Sequence, residues 1–374
     1  MKLIRAKTIV VLMLSVIMLL STGACATQPR NFYRTLTHSG AEVRLSLKGR
    51  DENSVAEDIF TAMSRYDYAL FSPDGSAARF NAADGTVIEG ETNILGGKDK
   101  YVRVAADNYL YSAVMTAKNL YRTTEGRFNI ATKRLKERWY SAQIFPAESL
   151  ILRDIAGVQN PLLIDEYIID GTYYLQKYVT FDDDGELNEE HTYIAFDDAL
   201  GGIMCDAAAR MAAGKNLSSA YIKADNTSVY LGEGTYDVAV NMSTGDRLAT
   251  VKLPAGKYVT EMDVYFNSRN LGGRLFIGGI IDPRTGIPTT LTKIMPGVYS
   301  SKDDYVYAAI VVSDSGYKSN ALCFSACVDG ADTGDILTDN SAALIFTSTG
   351  RLYVAGDIEF ELADGQGALE IIRL

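Results

Sequence analysis

The spacing of the apolar residues changes along this chain between the period of a helix and the period of a strand, and no other feature constrains its fold as strongly. Residues 42–47 alternate between polar and apolar side chains, whereas the apolar residues within 55–71 recur at helical spacing. A second helix is predicted over about residues 105–124, with Gly126 as its stop. Because no internal repeat accompanies this mixture, we expect an α+β fold of mixed sheets with packed helices, in a single domain with room for two lobes.

The same patterns predict the remaining elements. The polar stretch 165–196 contains a predicted hairpin turn at residues 182–185. Tyr221, Tyr230 and Tyr236 fit either a sheet surface, where tyrosine is favoured, or the lining of a ligand site. The other predicted elements are helices over residues 206–213 and 318–328, strands over 221–231, 236–240, 248–253 and 305–313, and short strands within 342–374.

Composition excludes several classes of function. The 374 residues include 47 acidic and 36 basic ones, which give a formal charge of −11. We therefore expect no nucleic-acid partner, because displacing counterions from phosphates needs a positive face. His38 and His191 are the only histidines, so a three-histidine zinc site is excluded. The hydrophobic fraction of 47% is typical of a globular protein.

Residues 1–24 have the features of an export signal. Lys2, Arg5 and Lys7 precede an apolar run over residues 8–20, which is too short to cross a bilayer, and small residues then lead to Cys25. Small residues before a cysteine resemble a bacterial lipoprotein signal. We expect a lipidated Cys25 to begin a mature domain of residues 25–374 and to anchor it to the extracytoplasmic side of the cell membrane. Simple secretion and an uncleaved anchor are the alternatives.

Cys205, Cys323 and Cys327 remain, and an odd number argues against a disulfide framework. Cys323 and Cys327 lie four residues apart on a predicted helix, which is a spacing that allows two cysteines to bind one metal ion. Since no histidine or further cysteine lies nearby in the sequence, small buried apolar side chains are the better interpretation.

Two glycine-rich loops are candidate sites. Gly201-Gly202 precedes a predicted helix and can present backbone N–H groups to an anion. Residues 280–288 read Ile-Ile-Asp-Pro-Arg-Thr-Gly-Ile-Pro and place a carboxylate and a guanidinium on a stiff turn, where Asp282 is either a turn cap or a functional group. Gly96-Gly97-Lys98 is not a phosphate loop, because Thr92 occupies its first glycine position.

Residues 280–288 closely resemble the His-Ile-Ile-Asp-Pro-Arg-Thr-Gly-x-Pro signature of the ApbE-type FAD:protein FMN transferases. Further segments similar to that family are Ser-Ala-Ala-Arg-Phe-Asn at 76–81, Thr-Glu-Gly-Arg-Phe-Asn at 124–129 with Trp139 downstream, Leu-Gly-Gly-Ile at 200–203 and Asn-Ala-Leu at 320–322. They follow the family's order and extend the resemblance over residues 32–350. It implies an ApbE-like (T-fold-like) domain.

The resemblance also implies a function. Members of the family cleave the pyrophosphate of FAD, join FMN by a phosphoester to a threonine or serine of an exported acceptor and release AMP. We therefore expect FAD as substrate, Mg²⁺ as metal, and an exported or membrane-bound flavoprotein as partner. The positions that the resemblance assigns to flavin binding are Asn129, Gly201, Gly202, Ile203, Arg284, Thr285 and Gly286.

The chain departs from the family pattern where the chemistry takes place. In the family, a histidine before Ile-Ile-Asp-Pro is the base, and a backbone carbonyl of the Gly-Gly-Ile-Ala loop holds the metal with the Asp and Thr of Asp-Ala-Leu-Ala-Thr. Here Gly279 replaces the histidine, Asn320 the metal aspartate and Phe324 the metal threonine. Further departures are Ala199, Cys205 in place of a lysine, and Asp225-Asn226 in place of two glycines.

Substitutes for the lost groups are few. The carbonyl of Met204 with Asn320 would be a thin Mg²⁺ site, since this ion favours several hard oxygen ligands. Asp197 and Asp198 lie just ahead of the glycines and can act as replacement ligands. Asp282 is the nearest carboxylate in the sequence that can replace the missing base.

Two principal functions stay open from the sequence. The first is an active FAD:protein FMN transferase with relocated base and metal groups, which is the function we predict. The second is an inactive lipoprotein of the same fold that binds a flavin nucleotide or a protein partner. An unrelated structural module of the cell surface is a third possibility and predicts no affinity for flavin.

Overall fold

The computed structural model describes residues 28–92, 98–156, 160–182, 184–188, 191–271, 275–337, 340–365 and 369–374. The predicted leader, Cys25 and most of the Gly96-Gly97-Lys98 segment lie outside these residues. The α-helices are α1 Glu52–Phe71, α2 Ser76–Asn81, α3 Asn108–Thr123, α4 Lys133–Ser141, α5 Glu148–Ile155, α6 Leu200–Ala212 and α7 Gly316–Asp329. Within the described part of the chain, no helix is long and apolar enough to cross a membrane.

The strands follow in chain order. They are β1 Arg30–Thr35, β2 Glu42–Gly49, β3 Thr86–Thr92, β4 Lys98–Ala106, β5 Asp165–Ile169, β6 Thr172–Val179, β7 Leu217–Ala224, β8 Thr227–Leu231, β9 Thr235–Asn241, β10 Arg247–Pro254, β11 Tyr258–Asp263, β12 Arg269–Leu271, β13 Leu275–Ile277, β14 Ile281–Asp282, β15 Ile287–Pro288, β16 Leu291–Met295, β17 Val298–Ser301, β18 Val306–Ser313, β19 Ala342–Thr347, β20 Arg351–Ala355, β21 Phe360–Leu362 and β22 Glu370–Arg373. The mixture confirms the predicted α+β class.

A nine-stranded sheet forms the centre of the molecule. Its order is β1-β2-β7-β8-β11-β18-β19-β20-β22, and every pair is antiparallel except β20 with β22. Strand β18 lies in the middle, and nearly all of its residues are buried. Ile310 and Val312 face one core cluster, whereas Ala309 and Val311 face another. This strand is apolar on both faces because both faces of the sheet are covered.

The two faces of the central sheet are covered by different layers. Helices α1, α6 and α7 pack together, and α6 and α7 also contact the sheet on one side. On the other side, apolar residues of β9 and β10 join the core formed by β18, β19 and β20. Strands β9 and β10 belong to a three-stranded sheet with the order β21-β10-β9. The result is a layered arrangement of helices, large sheet and small sheet.

A second sheet with the order β3-β4-β6-β5 lies beside the helical layer. Val102 and Val104 of β4 and Leu110 and Val114 of α3 share one buried cluster with the apolar residues of α7. This cluster joins the second sheet to the central sheet, and it is the core of the part of the molecule that contains the segment 124–129.

The structure corrects two predicted element boundaries. Helix α6 begins at Leu200 and therefore includes both glycines, whereas the apolar pattern predicted a start at residue 206. The predicted strand 221–231 is a hairpin, because the chain turns at Asp225, whose φ is +49°. Polar residues within an otherwise strand-like run conceal a short turn of this kind.

The interpretation of the cysteines as buried apolar side chains is confirmed. Cys205, Cys323 and Cys327 are free and fully buried. Burial raises the pKa of each thiol well above its usual value, so all three are protonated at neutral pH.

Lys177 on β6 is a fully buried lysine. Its ammonium nitrogen donates to the carbonyls of Asn81 at 3.3 Å and Thr192 at 3.1 Å and lies 3.0 Å from Nδ1 of His191. No carboxylate pairs with it among the described residues. Burial therefore lowers the pKa of Lys177 to about 7, and burial, followed by the Lys177 charge, lowers the pKa of His191 to about 4.

This lysine should make stability depend on pH above neutrality. Its folded-state pKa of about 7 lies below the unfolded value of about 10.4, so the unfolded chain binds more protons between these values and stability rises with pH there. Between about pH 7 and pH 9, we expect the unfolding free energy of the wild type relative to Lys177→Met to rise by about 2 kcal/mol. Urea denaturation at several pH values measures it, with the exposed Lys100→Met as matched control. A difference in unfolding free energy between the wild type and Lys177→Met that does not change with pH would contradict the lowered pKa of Lys177.

Candidate functional site

A cavity of about 600 Å³ opens where several elements end. Its walls come from β2, the ends of β7 and β11, the β7–β8 and β9–β10 turns and the residues just before α6, and Ile280 closes one side. The volume lies within the range of about 300–1,000 Å³ found for ligand sites. The charged side chains in the lining are Glu42, Arg44, Asp197, Asp198, Lys223, Asp225, Glu261 and Asp263.

Most of these carboxylates have partners. Arg44 Nη2 lies 3.2 Å from Glu42, Lys136 Nζ 2.5 Å from Asp198, and Lys223 Nζ 2.6 Å from Glu261. Asp197 is exposed, and no hydrogen bond or ion pair engages its carboxylate among the residues that the structure describes. The cavity therefore contains more acidic than basic groups, and cations pair with three of its six carboxylates.

Asp263 fixes the shape of the cavity. Its carboxylate accepts hydrogen bonds from the amide and hydroxyl of Ser243 at 2.6 and 2.7 Å and from the amides of Tyr265 and Phe266 at 2.8 and 3.1 Å. These bonds join the β9–β10 turn to the end of β11. Phe266 remains 58% exposed beside the cavity.

Burial shifts the titration of several groups here. It raises the pKa of Asp198, Asp225 and Glu261 despite neighbouring cations. Burial opposes the charge on Lys136, but Asp198 and Asp197 outweigh it and raise the pKa of this lysine. Burial also raises the pKa of Tyr140 to about 12, so its hydroxyl is a hydrogen-bond donor at neutral pH.

Gly279, at the position of the family histidine, lies against backbone. The Tyr140 hydroxyl donates to its carbonyl at 2.9 Å, and its own amide donates to Val264 at 2.8 Å. A Cβ atom added at this position would overlap the carbonyl oxygen of Phe266 and lie 2.9 Å from its carbon. A histidine therefore cannot be placed here without moving the chain at Phe266.

Asp282 forms the centre of the signature turn. Its carboxylate accepts hydrogen bonds from the backbone amide of Arg284 at 2.9 Å and from its guanidinium at 3.0 and 3.2 Å. Arg284 also pairs with Asp329 at the end of α7, and Asp329 in turn binds Arg127 from the segment 124–129. Asp282 does not line the cavity. These bonds are those of the turn cap, and the proposed catalytic role of Asp282 stays a prediction.

The rest of the signature turn is docked onto helices α4 and α5. The indole nitrogen of Trp139 donates to the carbonyl of Gly286 at 2.7 Å. Gly286 has a φ of +71°, and a Cβ there would lie 2.6 Å from Ile151. Thr285 is exposed. The turn thus contacts Trp139, which the sequence analysis named as a separate landmark of the family, and Ile151 on α5.

Gly201 and Gly202 are buried where α6 meets two neighbours, the β7–β8 turn at Gly201 and, at a helix crossing, α7 at Gly202. A Cβ on Gly201 would lie 2.5 Å from Oδ1 of Asn226, and one on Gly202 would overlap the carbonyl of Gly316. The neighbouring Ile203 is in the core. The Gly202 amide donates to the side chain of Asn320 on α7. This amide is therefore used within the protein, and the glycines serve close helix packing.

Asn320 is fully buried at this crossing. Its Oδ1 accepts from the Gly202 amide and from the hydroxyl of Thr227 at 3.1 Å, and its Nδ2 donates to Oδ1 of Asn226 at 3.2 Å. Asn129 is also buried, and its Oδ1 caps a short helix through the amide of Ala131 at 2.7 Å.

The sequence model of the ApbE family matches residues 39–334, which is well over half of the chain. The chain belongs to the ApbE family. This membership confirms the resemblance carried by the signature turn and the Leu-Gly-Gly-Ile segment.

Solved ApbE structures have the same fold. The ApbE protein of Thermotoga maritima is 18% identical, with 89% of this chain and 97% of that chain covered and a TM-score of 0.62. The apo flavinyl transferase ApbE of Pseudomonas stutzeri is 13% identical, with 90% and 96% covered and a TM-score of 0.62. The flavin transferase ApbE from Vibrio cholerae is 12% identical, with 91% and 100% covered and a TM-score of 0.60. The search of curated proteins gives no significant match.

The side chains at the implied ApbE metal position do not fit Mg²⁺. Asn320 is fully buried, and its amide oxygen already accepts two hydrogen bonds. Met204, whose backbone carbonyl was the other expected ligand, is buried within helix α6. Phe324 is apolar and stands edge-on to Phe128. Within the described ranges, no group of three His, Cys, Asp or Glu side chains is arranged to hold a metal ion.

Sequence reasoning missed several groups at the cavity. Lys136 lies on α4, far along the chain from Asp198, and only the fold brings them together. Glu261 and Asp263 are two residues apart on β11 and therefore point to the same face. Two acidic residues at this spacing in a strand were the sequence signal that could have identified these cavity groups.

The helix crossing should not accept a methyl group. Because a Cβ at position 202 would overlap both Gly316 and Asn320, we expect Gly202→Ala to lower the unfolding free energy by about 3 kcal/mol or more. Gly334→Ala is the matched control, since the nearest atom to its Cβ would lie at 3.6 Å. Urea denaturation compares the two, and equal stability of both variants would contradict the tight crossing.

Proposed function

We propose that this chain is a FAD:protein FMN transferase that acts on an exported or membrane-bound flavoprotein. Membership of the ApbE family supports this function. The observation that supports it most is the cavity of about 600 Å³, because its wall includes the first residue of the family signature and the residues just before another family segment. Asp197 and Asp198 precede the Leu-Gly-Gly-Ile segment, and Ile280 begins the signature.

The reaction needs a cationic environment and a proton acceptor. The hydroxyl oxygen of the acceptor threonine or serine bonds to the flavin-side phosphorus of FAD, and the bond from this phosphorus to the bridging oxygen breaks. AMP leaves with that oxygen, and the hydroxyl proton moves to a base. Stabilising the developing negative charge on the bridging oxygen is the main electrostatic requirement.

Arg44 and Lys223 can supply the positive charge. They face each other in the register of β2 and β7 and both line the cavity. We propose that the pyrophosphate lies against this pair, where Glu42 and Glu261 position the two cationic groups. Arginine and lysine are the side chains that most often bind phosphate oxygens.

Asp197 is the proton acceptor in this proposal. It lines the cavity with an exposed carboxylate, whereas the carboxylate of Asp282 is held by Arg284 outside the lining. A base must come within hydrogen-bond reach of the acceptor hydroxyl, which is the criterion that separates the two carboxylates.

The cellular setting follows from the leader. We propose that residues 1–24 are removed, that Cys25 is lipidated, and that the domain lies on the extracytoplasmic side of the membrane. An acceptor on the same side of the membrane would then meet the cavity directly.

Covalent transfer is the decisive measurement. The purified full-length chain is incubated with FAD and an acceptor that carries a flavinylation motif, and the acceptor is examined for flavin fluorescence after denaturing electrophoresis. We expect a fluorescent acceptor band and release of AMP. An ApbE protein that retains the histidine is the positive control. Saturable FAD binding without a fluorescent band would show a binding protein instead of a transferase.

Two variants identify the proton acceptor. Asp197→Asn should lower kcat by about 10²- to 10⁴-fold and leave FAD binding unchanged, because it removes a base without removing volume. Asp282→Asn should mainly reduce stability, since it weakens the bonds to Arg284. Loss of transfer in Asp282→Asn alone, at unchanged stability, would assign the base to Asp282.

A further inference from the structure

The residue that replaces the metal aspartate, Asn320, has a hydrogen-bond partner at both polar atoms of its side chain. The backbone N–H of Gly202 can only donate, so the oxygen of the Asn320 amide must face it and the NH₂ group must face Asn226. This fixes the orientation of the amide. The group at the implied cation position therefore presents a fully used oxygen and a positively polarised NH₂ group.

Thr227 completes this arrangement. Its hydroxyl lies 3.1 Å from Oδ1 of Asn320 and 3.0 Å from the hydroxyl of Thr260, and both threonines are fully buried. We call Asn320, Asn226, Thr227 and Thr260 the amide cluster. The Asn320 oxygen accepts one hydrogen bond from Gly202 and one from Thr227. A cation bound to this oxygen would have to displace these buried hydrogen bonds.

The surroundings of the cluster also disfavour a divalent ion. Phe324 is buried one helical turn further along α7. The nearby thiol of Cys205 donates to the carbonyl of Thr227 at 3.2 Å and is therefore engaged within the protein. No carboxylate replaces the missing charge within the amide cluster, and Mg²⁺ requires several hard oxygen ligands.

We propose that this chain binds its flavin nucleotide without a divalent cation, because the amide cluster occupies the place that the family pattern gives to the metal. The inference rests on the proposed function only in taking FAD as the ligand. It goes beyond family membership, which predicts a metal-dependent site.

Calorimetric titration of the purified full-length chain with FAD tests this inference, in buffer with EDTA and in buffer with millimolar MgCl₂. We expect the two dissociation constants to agree within about twofold. Tighter binding in Mg²⁺ by about tenfold or more, which corresponds to about 1.4 kcal/mol, would overturn the inference and leave the proposed function standing. Absence of FAD binding in both buffers would overturn both.

A variant that restores the missing donors gives a second readout. Asn320→Asp combined with Phe324→Thr returns a carboxylate and a hydroxyl to the implied metal position. We expect MgCl₂ alone to raise the melting temperature of this variant but not that of the wild type, since an ion that binds only the folded state stabilises it. Asn216→Asp is the matched control, because it makes the same change at an exposed position. An equal rise in the wild type would overturn the inference.

Discussion

The close crossing of helices α6 and α7 is the contact on which the helical layer over the central sheet depends. The backbones of Gly202 and Gly316 meet there, and a Cβ on Gly316 would lie 2.5 Å from the carbonyl of Gly202. Asp206 of α6 strengthens the crossing, because its carboxylate accepts from the amides of Gly316 at 2.8 Å and Tyr317 at 3.0 Å at the start of α7. A negative charge at a helix N-terminus is stabilising. The crossing thus fixes both helices against the central sheet.

The same crossing explains how the chain keeps the fold of its family with Asn320 and Phe324 at the positions that the family pattern gives to an aspartate and a threonine. Asn320 forms hydrogen bonds in all the directions that its neighbours require, so the loss of a carboxylate leaves no unsatisfied buried group at this point. Phe324 adds apolar contact with Phe128 on the neighbouring segment. A buried charge without a counterion would be costly, whereas a neutral amide whose oxygen and nitrogen both form hydrogen bonds costs much less.

The cavity depends on different interactions from the crossing. Asp263 connects the β9–β10 turn to β11, and Lys136 on α4 compensates Asp198 near the start of α6. The signature turn is held on the other side by Trp139 and by the chain of ion pairs through Arg284, Asp329 and Arg127. These contacts place Ile280 at the cavity while they engage the polar groups of the turn itself. The signature turn therefore joins helices α4, α5 and α7 to the cavity wall.

The sequence by itself determined the α+β class, helices α1, α3 and α7, strands such as β2, β10 and β18, the burial of the three cysteines and the membership of the ApbE family. Periodicity and motif spacing depend only on residues that are close together along the chain, so both can be identified before the tertiary structure is known. Only the tertiary structure decided that Gly201 and Gly202 pack against other elements, that Asp282 is engaged by Arg284, and that Lys136 reaches Asp198. Those outcomes depend on which segments come within hydrogen-bond distance after the sheets and helices assemble, and a linear sequence carries no such distances.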